Sequence, residues 1–122
     1  MVAAREMVPA ELVTAILGHR QVRLRYPGDP GAPAPRVINP HAVYESSSGQ
    51  LYLQGVQVAG PSSHGEDSLP GWRTFAIGLI AGAEVLPTGF EVAADFRPGS
   101  PLYHRMIIDC LGGWRRAAAG RR

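Results

Sequence analysis

A single cysteine, Cys110, leaves no partner for an internal disulfide. It cannot supply a thiolate pair for a metal either, and His19, His41, His64 and His104 share no ligand spacing. Neither a metal nor a cofactor is expected. No apolar run approaches the ~20 residues of a membrane span, so no membrane association is expected. The first residues carry Glu6 and Glu11 and no apolar stretch of the signal-peptide kind, which makes a cytoplasmic site the default expectation. Lysine is absent. All 12 basic residues are arginine, so every cation is a planar fork suited to carboxylate or phosphate. A formal net charge of only +2 excludes a polycation.

What remains describes one globular domain. The chain has 122 residues, of which 45% are apolar and 18% charged, enough to bury a core without staples. Charge is uneven along it. Residues 97–122 hold six arginines against Asp109, a local +5, and residues 1–96 hold six arginines against nine acids, a local −3.

Pro9 to His19 reads as a helix, with Pro9 in the first turn, Glu11 near the start, and Leu12, Val13, Ile16 and Leu17 on one stripe. Gly18 is its end signal. Gln21 to Tyr26 alternates cleanly as a strand, placing Arg23 and Arg25 on one face. Pro27 to Pro35 is a loop rich in Pro and Gly. Arg36 to Asn39 and His41 to Glu45 are strand pieces about Pro40. Gln50 to Val58 reads as a long central strand, bent at Gly55. Leu51 and Leu53 face the core there, and Tyr52 and Gln54 the other way. Gly60 to Gly71 is a polar loop. Its Ser62, Ser63, His64, Glu66 and Asp67 include the residue types of a catalytic triad. Neighbours on a loop do not have the scaffold that a triad needs, so no enzyme is expected. Trp72 to Leu79 reads as a strand, Ile80 to Leu86 as a bend and short strand, Pro87 to Gly89 as a turn, and Phe90 to Phe96 as a last extended piece. Ser100 and Pro101 then open a helix whose stripe runs through Tyr103, Met106, Ile107, Cys110 and Leu111. Arg115 to Arg122 is read as a frayed tail.

Short strands punctuated by Gly and Pro suit a small barrel. Four segments, in order, resemble the WYL domain family: Val22-Arg23-Leu24-Arg25-Tyr26, Arg36-Val37-Ile38-Asn39-Pro40-His41, the triplet Leu51-Tyr52-Leu53, and Trp72-Arg73-Thr74-Phe75-Ala76-Ile77. The resemblance covers roughly residues 10 to 92. Leu51 stands where that family usually has Trp, and Leu79 near the place of its second Arg. The fold this implies is mainly β with flanking helices (α+β), a small Sm-like or SH3-like five-stranded barrel with an N-terminal and a C-terminal helix. Residues 9–96 would form the barrel domain with its N-terminal helix, and residues 97–122 the C-terminal helix and Arg-rich tail. The helix-turn-helix that commonly precedes such a domain has no room before Pro9, so operator DNA is not expected to be read by that route.

The resemblance also implies a function. WYL domains are regarded as ligand-sensing modules, with nucleic acids or nucleotides as ligands. Carried over by position, the site is Tyr52, His41, Arg36 and Arg73, with Arg23 or Arg25 beside them. Gln54 joins by parity with Tyr52. Arginine forks suit phosphate and an exposed tyrosine suits base stacking. Arg73 shares the parity of Phe75, which is expected in the core. The competing expectation is a protein-interaction or accessory subunit with a degenerate ligand site, binding a partner or a second copy through Tyr103, Ile107 and Leu111.

Overall fold

The computed structural model describes residues 3–27, 35–62 and 65–115. The Pro/Gly-rich loop lies largely outside these residues, as do Ser63, His64 and the tail beyond Arg115. Among the described residues there is one α-helix, α1 (Ala10–Gly18), and seven strands: β1 (Arg20–Arg25), β2 (Arg36–Glu45), β3 (Leu51–Ala59), β4 (Gly71–Ala76), β5 (Gly82–Gly89), β6 (Arg105–Asp109) and β7 (Gly113–Trp114). All pairings are antiparallel. The sheet runs β4-β3-β2-β1-β5, and β6 pairs with β2 and carries β7. Among the described residues β4 and β5 do not pair with each other, so the ladders form an open sheet and not a closed five-stranded barrel.

The strand at the centre is β2, not β3 as the sequence pattern suggested. Its first half pairs with β1, its second half with β6, and β3 lies along nearly all of it. One strand can serve two neighbours on the same side because it bends. Pro40 opposes Gly55 and Ala42 opposes Gln54, which leaves His41 as the extra residue of a bulge. Gly55 is required there by closeness, not by φ. A Cβ at that position would sit 2.6 Å from the Asn39 carbonyl oxygen and 2.7 Å from Ile38 Cγ2.

α1 packs on β1, β2, β5 and β6, burying Leu12, Ala15 and Ile16 completely. It ends on a left-handed residue, and that residue is His19 (φ 53°), not Gly18. The His19 ring holds this turn by donating from Nε2 to the Cys110 carbonyl at 2.7 Å. The core beneath is Val22, Leu24, Ile38, Val43, Leu53, Phe75 and Ile108.

The C-terminal half departs furthest from expectation. Leu102 to Leu111 is not a helix. Pro98, Gly99 and Pro101 lie in turns, and Met106-Ile107-Ile108 forms β6 against β2. A helix held between Pro101 and Gly112 would have been barely three turns long, too short to persist without packing. The second half of β2 offers two buried isoleucines a ladder instead. Ser100 does cap, but it caps a turn: its Oγ accepts from Leu102 N at 3.2 Å, and its carbonyl accepts from Tyr103 N at 3.0 Å. The apolar helical stripe expected to meet a partner is therefore absent. Ile107 is buried in the core, Tyr103 packs on Tyr44, and Leu111 is exposed on a turn. Phe90 to Phe96 is not a strand either, and Pro87 to Gly89 extends β5 instead of turning.

Candidate ligand-binding site

Residues directly opposite in an antiparallel ladder share a face. By register, Tyr52, Tyr44, Gln54, Thr74 and Trp72 lie on the outer face of the sheet, with Arg23 on the outer side of β1. Arg36, Gln57, Arg73 and Phe75 lie on the inner face. The seven residues expected to form one site are thus divided between two faces.

The outer face carries a row of rings. Tyr52 lies 5.7 Å from Tyr44, Tyr44 5.0 Å from Tyr103, and Tyr103 6.2 Å from Phe96. Phe96 then meets His41 at 5.3 Å and Trp72 at 6.1 Å. Offset and tilted ring pairs at these distances are favourable. The segment from Phe90 to Tyr103 supplies Phe96 and Tyr103 and covers the deeper end. Trp72 Nε1 donates to Asp95 Oδ2 at 3.0 Å, fastening that cover. Burial pushes the Tyr44 and Tyr103 hydroxyls above the ordinary tyrosine value; at Tyr44 a hydrogen bond with Thr74 opposes the shift. Tyr52 is the half-buried outer end of the row, and its hydroxyl donates to Gln50 Oε1 at 3.1 Å.

His41 and Gln54 are present at this face but sealed. The His41 side chain is wholly buried on its bulge, with Nδ1 bonded to the Asn39 carbonyl at 2.8 Å and Nε2 accepting from Ala93 N at 3.0 Å. Those two partners require the tautomer protonated on Nδ1. Burial lowers its pKa below the ordinary histidine value, opposed by the Asn39 hydrogen bond and the charge of Asp95. Gln54 Oε1 accepts from Thr74 Oγ1 at 2.6 Å.

The arginines are dispersed. Arg23 is exposed and pairs with Glu84 at 2.6 Å, an interaction worth little in water. Arg25 is exposed beside it. Arg23 pairs with Val37, and Val37 with Ala59, seven residues along β3 from Tyr52. That separation is about 20 Å along the bent strand. Arg36 is buried, its guanidinium 5.5 Å above the Tyr26 ring and 5.8 Å above Phe75. Arg73 does not snorkel to a rim alone. It clamps the loop before β4, donating to Ser62 Oγ from Nε at 3.2 Å and from Nη2 at 3.0 Å, and to Ser68 Oγ. Gln57, fully buried beside this clamp, donates to the Ala59, Gly60 and Pro61 carbonyls. Cys110 is a buried thiol with its pKa pushed up to about 11 by desolvation, and so unreactive.

Sequence reasoning missed Tyr44, Tyr103 and Phe96 as neighbours of Tyr52. The signal for Tyr44 was available: a Ser-rich turn over residues 46–49 sets Glu45 against Leu51, which places Tyr44 against Tyr52. Nothing in the sequence pattern brought Tyr103 there, because its segment was read as helix. No group of three or more His, Cys, Asp or Glu among the described residues could hold a metal ion. No helix among them is long and apolar enough to cross a membrane.

The WYL domain family model matches residues 8–85. No curated protein matches the chain. Among solved structures, the proteasome accessory factor B/C (PafBC) of Arthrobacter aurescens is similar, with a TM-score of 0.56 and 22% identity over 71% of this chain. The likeness covers 13% of that protein's chain. At this identity it speaks for the fold.

Proposed function

We propose, from the premise that the chain belongs to the WYL domain family, that it is a ligand-sensing regulatory module whose ligand is single-stranded nucleic acid. The observation that carries this reading is the position of Tyr52: the accessible end of an aromatic row whose other members are fixed beneath it. A ring held this way loses little freedom when a base stacks on it, and such a stack contributes about 1–3 kcal/mol. The accessible cations on the same face, Arg23 and Arg25, are too far from Tyr52 for one nucleotide to reach both. A strand of several nucleotides spans the gap. His41 and Gln54 act beneath the ligand by shaping β2 and β3, and Arg73 by holding the loop.

A second reading is favoured by the burial of His41, Gln54 and Arg36. The inherited site has then ceased to take a ligand, and the module serves a protein partner.

Fluorescence anisotropy with labelled single-stranded DNA and RNA at low salt separates the two. The Tyr52→Ala variant is expected to bind about tenfold more weakly with an unchanged salt slope. An Arg23→Ala/Arg25→Ala variant should flatten the log–log slope by about 0.7 for each phosphate it no longer neutralises. Wild-type protein that binds neither oligonucleotide, or a Tyr52→Ala variant that binds like wild type, supports the accessory-subunit reading instead.

A further inference from the structure

A groove of about 1130 Å³ adjoins the Tyr52 end of the aromatic row at Gln50, between the residues preceding α1, the β2–β3 turn, the 3-10 turn Ile77–Leu79 and the start of β6. Its size lies just above the usual range of small-molecule sites, roughly 300–1,000 Å³. Its walls combine two chemistries. Met7 and Leu79 are more than half exposed there, at 57% and 54%, although both are large and apolar. Leu51, at the place where the family usually has Trp, lines the same wall.

The second chemistry is cationic. Arg5, Arg105 and Arg115 line the groove against one carboxylate, Glu45. Each arginine is anchored by only part of its guanidinium. Arg105 Nε donates to Glu45 at 2.8 Å, Arg115 Nε donates to the buried Asp109 at 2.5 Å, and Arg5 stacks 4.4 Å above the Trp114 ring. The terminal Nη nitrogens of all three have no hydrogen-bond partner among the described residues. Arginines oriented from behind with their forks unspent are suited to an oxyanion. All three lie outside residues 8–85, the part of the chain that the family model matches.

We propose that this groove binds a single-chain anionic amphiphile, an alkyl carboxylate, with its head on these arginines and its chain along Met7, Leu51 and Leu79. An extended peptide fits less well. The 3-10 turn bonds to itself through Ile80 N and the Ile77 carbonyl, and Glu45 is already paired on both sides, so neither of these walls offers its backbone to an added strand. The proposal stands apart from the nucleic-acid reading in its cations, Arg5, Arg105 and Arg115, while Gln50 borders both sites.

Isothermal titration with sodium dodecanoate below its micellar concentration is the test, with 1-dodecanol and dodecyltrimethylammonium as neutral and cationic controls. Saturable 1:1 binding of dodecanoate is expected, with amide shifts in NMR confined to Gln50, Ile77–Leu79 and Arg105. Leu79→Glu, at an exposed position, should weaken binding at least tenfold, and so should Arg5→Gln/Arg105→Gln. Wild-type thermal melts would show that both variants keep the fold. Equal binding of the neutral and anionic chains, no binding of dodecanoate, or undiminished binding by both folded variants overturns the proposal. An oligonucleotide that displaces dodecanoate and shifts the same amides also overturns it, by assigning the groove to nucleic acid.

Discussion

His41 shows how one residue can look like a ligand-binding group and act as a keystone. It occupies the bulge that lets β2 serve both β1 and β6, and it ties that bulge to Ala93, in the segment covering the aromatic row. The tie needs a neutral ring, because Nε2 must accept. Protonation would turn the acceptor into a donor facing another donor. Desolvation lowers the folded-state pKa, with the Asn39 hydrogen bond and the charge of Asp95 opposing and His19 assisting. The sign follows by linkage. Below the ordinary value of about 6.5 the unfolded chain takes up a proton that the folded chain refuses, so this contribution is complete above about pH 6.5 and is lost as pH falls toward the lowered value. Urea midpoints measured from pH 7.5 to 5 should fall for the wild type. A His41→Gln variant should be less stable at pH 7.5 by about 1–3 kcal/mol, the cost of poorly paired buried polar groups, and should show a shallower decline. An identical decline in the variant would assign the pH dependence to other groups.

At the scale of elements, the readable parts were those in which local pattern and tertiary demand agree. α1 and β1 to β3 fall within one or two residues of their expected bounds, because their periodicities match the faces they bury. The alternation in β3 correctly placed Tyr52 and Gln54 opposite Leu53, but alternation within one strand does not reveal what covers its outer face. β6 was misread because Tyr103, Met106, Ile107 and Cys110 satisfy helical spacing by accident, and the open side of β2 that decides the matter is not written in that segment. The site was less readable than the fold for the same reason. Arg36, His41 and Gln54 were identified by position, and their burial follows from packing that involves distant residues.

The turn joining β6 to β7 tests the revised element. Asp109, fully buried, accepts from Leu111 N at 2.9 Å and Gly112 N at 2.7 Å and anchors Arg115. Asp109→Ala should cost about 1–3 kcal/mol, since Arg115 can return to water but the turn loses its charge-assisted bonds. Leu111→Ala, at a residue 58% exposed, should change stability by less than about 0.5 kcal/mol. A helical stripe would give the reverse ranking in chemical denaturation.

For the whole molecule, the two differently charged parts of the chain are interleaved. Arg105, from the basic end, pairs with Glu45 on β2, and Arg5 near the start stacks on Trp114 near the end. Ile108 is completely buried and Ile107 is 2% exposed, so β6 contributes to the same core as α1. Burying two such side chains contributes about 3–6 kcal/mol, a large share of a domain's total stability of roughly 5–15 kcal/mol. Removing β6 would also uncover the side of β2 that the bulge makes available, a free edge of the kind that aggregates. A chain cut after Phe96 should therefore lack dispersed NMR signals and a cooperative melt, whereas a chain cut after Arg115 should keep both. A truncation to residues 1–96 that melts cooperatively like the full chain would make β6 an appendage to the sheet and not part of its core. It would also remove Arg105 and Arg115 from the groove and Tyr103 from the aromatic row, so binding at both proposed sites should weaken in that variant.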